Sequence, residues 1–115
     1  MKDINPIDMQ FLKNVIGDDK NFEKELFEIF VDNVKYNISK LESAINNSDS
    51  NAWYMASHAL KGSSASIGAF DFAKILEISQ KNSDNDQDTK LLILGEIKQE
   101  FQFIEKFIQN HLSKN

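Results

Sequence analysis

The chain has 115 residues, 41% of them hydrophobic, which is enough to bury a core within one domain spanning 1–115. Its formal net charge is −5 and all 13 of its basic residues are Lys, so nucleic acid is a poor partner and phosphate recognition by Arg is excluded. The absence of Cys excludes disulfides and thiolate metal sites, and it fits a reducing compartment.

Two helices are predicted in the first part of the chain. Asn5 followed by Pro6 is a good N-cap and first helical position, which predicts a short helix over 6–16, and GDDKN at 17–21 ends it. A long second helix is predicted by apolar residues three or four positions apart, namely Leu26, Phe30, Val34, Ile38, Leu41 and Ile45. The turn-forming cluster NNSDSN at 46–51 ends this helix and caps the next.

Three more helices are predicted after this cluster. The third covers about 52–67, with Gly68 as its C-terminal stop, and the fourth covers about 70–81. The last covers about 89–112, after a polar loop, and no segment alternates as a strand does. The sequence therefore predicts an all-α fold, an antiparallel four-helix bundle with the short first helix laid across one end.

The third helix has two different faces. Residues expected in the core fall on one side, namely Trp53, Ala56, Leu60 and Ile67. His58 points away from them, with Tyr54 one turn before it and Lys61 and Gly62 one turn after it. A glycine inside a helix costs about 1 kcal/mol relative to alanine, so helix stability does not explain Gly62. This face suits a histidine that another molecule's active site approaches closely.

Each of these features also has an ordinary explanation. A single exposed His on a helix usually has no special role, and a Lys three residues later is common on a solvated face. Gly–Ser pairs can mark close helix packing, and Ser63 and Ser64 could simply let the fourth helix approach. Taken one at a time, the features do not decide between the two interpretations.

Taken together, they resemble a known family. The segment HALKGSSASIGAFDFAKILEISQ at 58–80 is similar to the signature of histidine-containing phosphotransfer (Hpt) domains, the four-helix modules of phosphorelays. The signature consists of a His, a Lys-Gly pair, small residues, a second Gly and a helix with Leu-Glu. In this chain these positions are His58, Lys61, Gly62, Ser63, Ser64, Gly68, Leu76 and Glu77. Gln80 matches a glutamine that some members bring from the neighbouring helix to the imidazole. The order and lengths of the predicted helices also fit.

The resemblance implies that the histidine is a phosphoryl carrier. His58 would be phosphorylated on Nε2 and would exchange the group with receiver-domain aspartates of a hybrid sensor histidine kinase and a response regulator. Lys61 would place positive charge near the phosphoryl oxygens, and Gly62 would leave room for the receiver. Gln80 would orient the ring or hold a phosphoryl oxygen, unless it is an ordinary exposed Gln. Tyr54 is a second neighbour by spacing alone.

The resemblance also implies an apolar docking patch around the histidine. By position in the family, Ile7 and Phe11 from the first helix, Phe22 from the start of the second and Ala59 beside the histidine would form it. Ile7 and Phe11 could equally cap the bundle core, and Phe22 could be a hydrophobic staple at the start of its helix.

No cofactor is expected in the chain itself. His58 and His111 are its only histidines and its acidic residues are scattered, so Mg²⁺ is expected only in the partner receiver domain. The sequence has no Gly-rich nucleotide loop, which predicts a carrier without ATP binding or catalysis of its own. His111 falls in the last turn of the last helix, where it interacts favourably with the helix dipole.

Two alternatives stay open. One is a helical scaffold protein without phosphotransfer, and the other is a phosphatase or another enzyme, which the lack of a second catalytic group near His58 disfavours. No apolar run reaches the roughly 18 residues of a membrane span and the N-terminus lacks a signal-peptide core, so we expect a cytoplasmic protein without a membrane partner. The resemblance, which is closest to the monomeric Hpt domains, implies a monomer. The Met at position 1 favours a free-standing protein over a fragment of a hybrid kinase.

Overall fold

The computed structural model describes residues 5–114, which form helices and no strand. The helices are α1 (Met9–Ile16), α2 (Lys20–Asn46), α3 (Ser50–Ser66), α4 (Phe70–Lys81) and α5 (Gln87–Ser113). Helices α2 to α5 form a closed bundle, in which α3 packs between α2 and α4, and α5 closes the other side against the same two helices. The prediction of an all-α helical bundle is confirmed. None of the described helices is long and apolar enough to cross a membrane.

Contacts at both ends show that α2 and α5 run antiparallel. At one end, His111 in the last turns of α5 bonds Glu23 in the first turn of α2. At the other end, the side-chain amide of Gln87, the first residue of α5, donates to the carbonyl of Ile45 near the end of α2. Because α3 and α4 are joined by a turn of only three residues, 67–69, they are antiparallel neighbours as well.

The core lies between the four long helices. Its largest fully buried side chains are Trp53, Phe27, Phe72, Ile7, Leu12, Leu41, Leu60, Leu76, Ile97 and Ile104, of which Ile7 and Leu12 come from the N-terminal segment. The four residues predicted to form the core face of the third helix are all buried. Burying one such side chain stabilises the fold by about 1.5–3 kcal/mol, so this shared core holds the helices together.

An aspartate begins each of four helices. In each case its carboxylate accepts the backbone N–H three residues later, and these N-caps are Asp8, Asp19, Asp49 and Asp86. Such a cap satisfies one of the N–H groups that a helix start leaves without a partner. The caps fix the first residues of α3 and α5 at Ser50 and Gln87, two positions earlier than predicted, whereas α4 has the predicted bounds.

The predicted start of the first helix is wrong. It was expected at Pro6, with Asn5 as its N-cap, but α1 begins at Met9. The Asp8 carboxylate accepts the N–H of Phe11 at 3.0 Å, and the Asp8 N–H donates to the carbonyl of Gly68 at 2.9 Å. Residue 8 is therefore tied to the turn between α3 and α4, which leaves the preceding proline outside the helix.

The α3–α4 turn confirms Gly68 as the C-terminal stop of the third helix. Gly68 has φ +85°, its N–H donates to the carbonyl of Ala65, and the N–H of Ala69 donates to the carbonyl of Ser64 at 2.8 Å. This pair of bonds is a Schellman motif, which uses glycine because a left-handed residue is required. Asp8, the residue before α1, contacts this turn through its N–H bond to the carbonyl of Gly68, so α1 begins at the α3–α4 end of the bundle.

Candidate functional site

His58 lies on the exposed face of α3, in contact with two neighbours. The ring of Tyr54, one turn earlier on the same helix, is stacked on the imidazole with the centroids 6.0 Å apart and the planes at 3°. Gln80 on α4 places its Oε1 atom 3.3 Å from Nδ1 of His58. The predicted neighbours of the imidazole on α3 and α4 are thus both present.

The contact with Gln80 favours a proton on one particular ring nitrogen. An amide oxygen only accepts hydrogen bonds, so Nδ1 of His58 is the donor when it bonds Oε1 of Gln80. In the neutral ring this leaves Nε2 with a free lone pair on an exposed side chain. A nitrogen lone pair at an accessible position is a nucleophile, and the arrangement therefore suits covalent transfer to Nε2.

Lys61 and Gly62 lie one turn beyond the histidine. Lys61 is half-buried and makes no salt bridge with any other residue in the described part of the chain. Gly62 is exposed, and a Cβ atom added to it would meet nothing within 4 Å. The site therefore combines an exposed imidazole, a cation without a salt bridge among the described residues and a position without a side chain.

Buried polar residues lie directly beneath the histidine. Ser57 and Ser79 are fully buried, and their hydroxyl oxygens are 2.7 Å apart. The indole N–H of Trp53 donates to the backbone carbonyl of Ser79 at 2.8 Å. The sequence analysis missed this pair, because a serine beside a candidate site residue carries no signal until the register between α3 and α4 is known.

The four residues predicted for the docking patch differ in accessibility. Phe22 is 46% exposed and Ala59 is exposed beside the histidine, so both are available to a partner. Phe11 is half-buried, and its ring packs edge-on against Phe70 with the centroids 5.0 Å apart. Ile7 is 0% exposed. A side chain without exposed surface cannot contact a partner, so Ile7 belongs to the core and not to the docking patch.

One exposed apolar residue near the histidine was missed. Met55 is 56% exposed, and it lies one helical turn before Ala59 on α3. A Met on the solvent face of a helix is a signal for a contact surface, since flexible thioethers adapt to different partners. The same periodicity argument that placed His58 outside the core could have identified it.

The second histidine has a different environment. Nε2 of His111 lies 2.7 Å from a carboxylate oxygen of Glu23, and its ring stacks on Phe107. The sequence predicted only an interaction with the helix dipole, because it could not show that Glu23 lies at the same end of the bundle. Within residues 5–114, no group of three His, Asp or Glu side chains could hold a metal ion.

Comparisons with known proteins agree with this geometry. The family model of the Hpt domain matches residues 25–106. The chain belongs to the Hpt domain family. The solved structure of histidine-containing phosphotransfer protein B (HptB) from Pseudomonas aeruginosa PAO1 has the same fold, with a TM-score of 0.85 and 16% identity over 95% of this chain and 96% of that one. No curated protein matches the sequence.

Membership of the Hpt family assigns a general role to the chain. Hpt proteins take part in histidine phosphotransfer in two-component phosphorelays, as carriers of the phosphoryl group. They interact with two-component kinases and response regulators. The motif around His58 lies within the matched residues, as does Gln80.

Proposed function

We propose that the chain carries a phosphoryl group on Nε2 of His58, between a receiver-domain aspartate of a hybrid sensor histidine kinase and that of a response regulator. The observation that carries this proposal is the 3.3 Å contact between Nδ1 of His58 and Oε1 of Gln80. This contact supports a proton on Nδ1 and a free lone pair on Nε2, on a side chain that solvent reaches.

The contact with Gln80 also favours the transfer step itself. Nε2 attacks the phosphorus of an aspartyl phosphate, the N–P bond forms, and the P–O bond to the aspartate breaks with its electron pair leaving on the carboxylate. The imidazole gains positive charge in this step, so the bond from Nδ1–H to Gln80 becomes charge-assisted and strengthens. An interaction that is stronger in the transition state than in the ground state accelerates the reaction.

Lys61 and Gly62 have complementary roles in the proposal. The ammonium group of Lys61 has no carboxylate partner among the described residues, so its charge is available to the phosphoryl oxygens. The bare backbone at Gly62 lets the receiver approach closely, and an apolar patch formed by Phe22, Met55 and Ala59 contacts it, with the edge of Phe11. The chain acts as a monomer, and the Mg²⁺ of the reaction belongs to the receiver domain.

Replacing the nucleophile tests the proposal. Because His58 is exposed, His58→Gln should leave the bundle folded, as judged by circular dichroism, and should abolish phosphoryl acceptance. The assay uses a panel of receiver domains charged with acetyl phosphate and Mg²⁺, and it scores an acid-labile, alkali-stable phosphate on the chain. Labelling that persists in the variant, or that maps to His111, would contradict the assignment. A wild-type chain that no receiver labels would favour the scaffold alternative.

A further inference from the structure

Two buried serines directly precede the two side chains that meet at the site. Ser57 is followed by His58 on α3, and Ser79 is followed by Gln80 on α4. Both contacts between the helices, hydroxyl to hydroxyl at 2.7 Å and imidazole to amide at 3.3 Å, join residues 22 positions apart. The buried contact and the exposed contact therefore share one register of α4 against α3.

Further directional bonds hold the last turn of α4. The indole of Trp53 donates to the carbonyl of Ser79 at 2.8 Å, and the hydroxyl of Ser83 donates to the carbonyl of Gln80 at 2.5 Å. The backbone on both sides of the Gln80 side chain is thus fixed, once from α3 and once from the turn after α4. Apolar packing between the same helices is not directional and does not select one position of an amide oxygen.

Stability alone does not explain the serine pair. A hydroxyl loses hydrogen bonds to water when it is buried, and an intramolecular bond returns only a modest net gain. Replacing both partners of such a bond with apolar groups of similar shape is close to neutral. A pair of alanines at 57 and 79 would therefore stabilise the fold about as well. What the serines add is a directional hydrogen bond, which selects one register of α4 against α3.

We infer that Ser57 and Ser79, together with Trp53, are positioning residues for phosphotransfer. Their bonds fix the register at which Oε1 of Gln80 meets Nδ1 of His58, and so they set the tautomer of the nucleophile. This inference rests on the proposed function and extends it to residues that touch neither the phosphoryl group nor the receiver.

The test replaces both serines at once. Ser57→Ala with Ser79→Ala should keep the melting temperature within about 3 °C of wild type, because no buried hydroxyl is left without a partner. Nitrogen NMR of the unphosphorylated protein should show His58 shifted away from the Nδ1–H tautomer. The rate of transfer from a charged receiver should fall about three- to tenfold at saturating receiver, with KM unchanged. If the double variant does not fold, Ser79→Ala alone is measured in the same way.

Two further variants separate positioning from packing. Ser64 is also fully buried on α3, but its hydroxyl has no hydrogen-bond partner among the described residues, so Ser64→Ala is a matched control that should change neither tautomer nor rate. Gln80→Ala should shift the His58 tautomer by itself. Adding the two serine replacements to Gln80→Ala should then cause no further loss, because all three act through one contact.

The outcomes distinguish this inference from the proposed function. An unchanged His58 tautomer and rate in the double variant would overturn the inference while leaving His58 as the carrier. Independent, multiplicative losses from the serine and Gln80 replacements would overturn it too. If no receiver labels the wild-type chain, the proposed function fails, and the NMR comparison still decides whether the serines set the geometry of His58.

Discussion

Gly62 and Gly68 show how differently two glycines only six residues apart can be used within one motif. A Cβ at Gly62 would meet nothing within 4 Å, whereas a Cβ at Gly68 would lie 3.0 Å from the carbonyl of Asp8. The left-handed φ and the close approach of the Asp8 backbone therefore explain Gly68, and neither applies to Gly62. The open space at Gly62 is consistent with the proposal that a partner approaches the backbone beside the histidine.

Substitutions at Gly62 should separate stability from function. Gly62→Ala should stabilise the protein by up to about 1 kcal/mol, because the site is an exposed helix interior. Gly62→Gln should preserve or raise the melting temperature but reduce phosphotransfer at least tenfold, since the side chain obstructs the receiver. Thermal melting and the receiver assay measure the two effects.

A second exposed glycine provides the control. Gly95 lies inside α5, and a Cβ there also meets nothing within 4 Å, so Gly95→Gln should change stability as Gly62→Gln does and leave transfer unaffected. Equal rates of phosphotransfer in the two Gln variants would show that the receiver does not approach the backbone at Gly62. If Gly62→Gln unfolds the protein, Gly62 has a packing role, and the orientation of α3 with Gly62 in open space is wrong.

Helical periodicity predicts on which face of a single helix a residue lies, and it predicts nothing about contacts between helices. It placed His58, Lys61 and Gly62 on the side of α3 away from the core, where the structure has His58 and Gly62 exposed and Lys61 half-buried. The docking role of Ile7 comes from the resemblance and not from periodicity, and the residue lies before α1, not within the first helix as predicted. Contacts between helices, such as the one between Ser57 and Ser79, depend on a register that no single-helix pattern contains.

At the level of elements, the helix ends were predictable where one residue type marks them. Gly68 alone can adopt the left-handed conformation in its segment, and the end of α3 was predicted within one residue. The clusters at 46–51 and 82–88 each contain several Asn, Asp and Ser residues that could act as N-caps. The chosen caps, Asp49 and Asp86, follow from the packing of the whole chain, so the starts of α3 and α5 were predicted two residues late.

The α3–α4 turn should be intolerant of a side chain. Gly68→Ala places a Cβ at a φ of +85° and 3.0 Å from the carbonyl of Asp8, so the backbone must move or α1 must shift away. We expect a loss of about 1–3 kcal/mol, measured by chemical denaturation. Gly62→Ala is the matched control, with the opposite sign. A Gly68→Ala variant as stable as wild type would show that the segment before α1 is not held against this turn.

For the molecule as a whole, the amphipathic pattern was sufficient to predict the bundle but not its long-range polar contacts. Four helices of the observed lengths, joined by short turns, can bury their apolar faces in few ways, and an antiparallel bundle is the common solution. Glu23 and His111 are 88 positions apart, and they meet only because α2 and α5 run antiparallel and end together. A side-chain contact at that separation has no local signature in the sequence.

The contact between Glu23 and His111 should contribute to stability without contributing to phosphotransfer. His111→Leu leaves the carboxylate of Glu23, whose side chain is 7% exposed, without its 2.7 Å partner. Such a loss costs about 1–3 kcal/mol, which corresponds to a melting temperature lower by roughly 4–12 °C. The rate of transfer to His58 below the new melting temperature should be unchanged, because His111 closes α5 on α2 and the described contacts of His58 come from α3 and α4.

A second variant shows whether the cost comes from the stranded carboxylate. Glu23→Leu combined with His111→Leu removes both partners, and replacing a buried polar pair with apolar groups is often neutral or stabilising. We therefore expect the double variant to recover most of the lost melting temperature. No recovery would mean that stacking of the imidazole on Phe107 and Phe27 supplies the stability instead. Loss of phosphotransfer in a folded His111→Leu variant would show that the two histidines are coupled, contrary to a single site at His58.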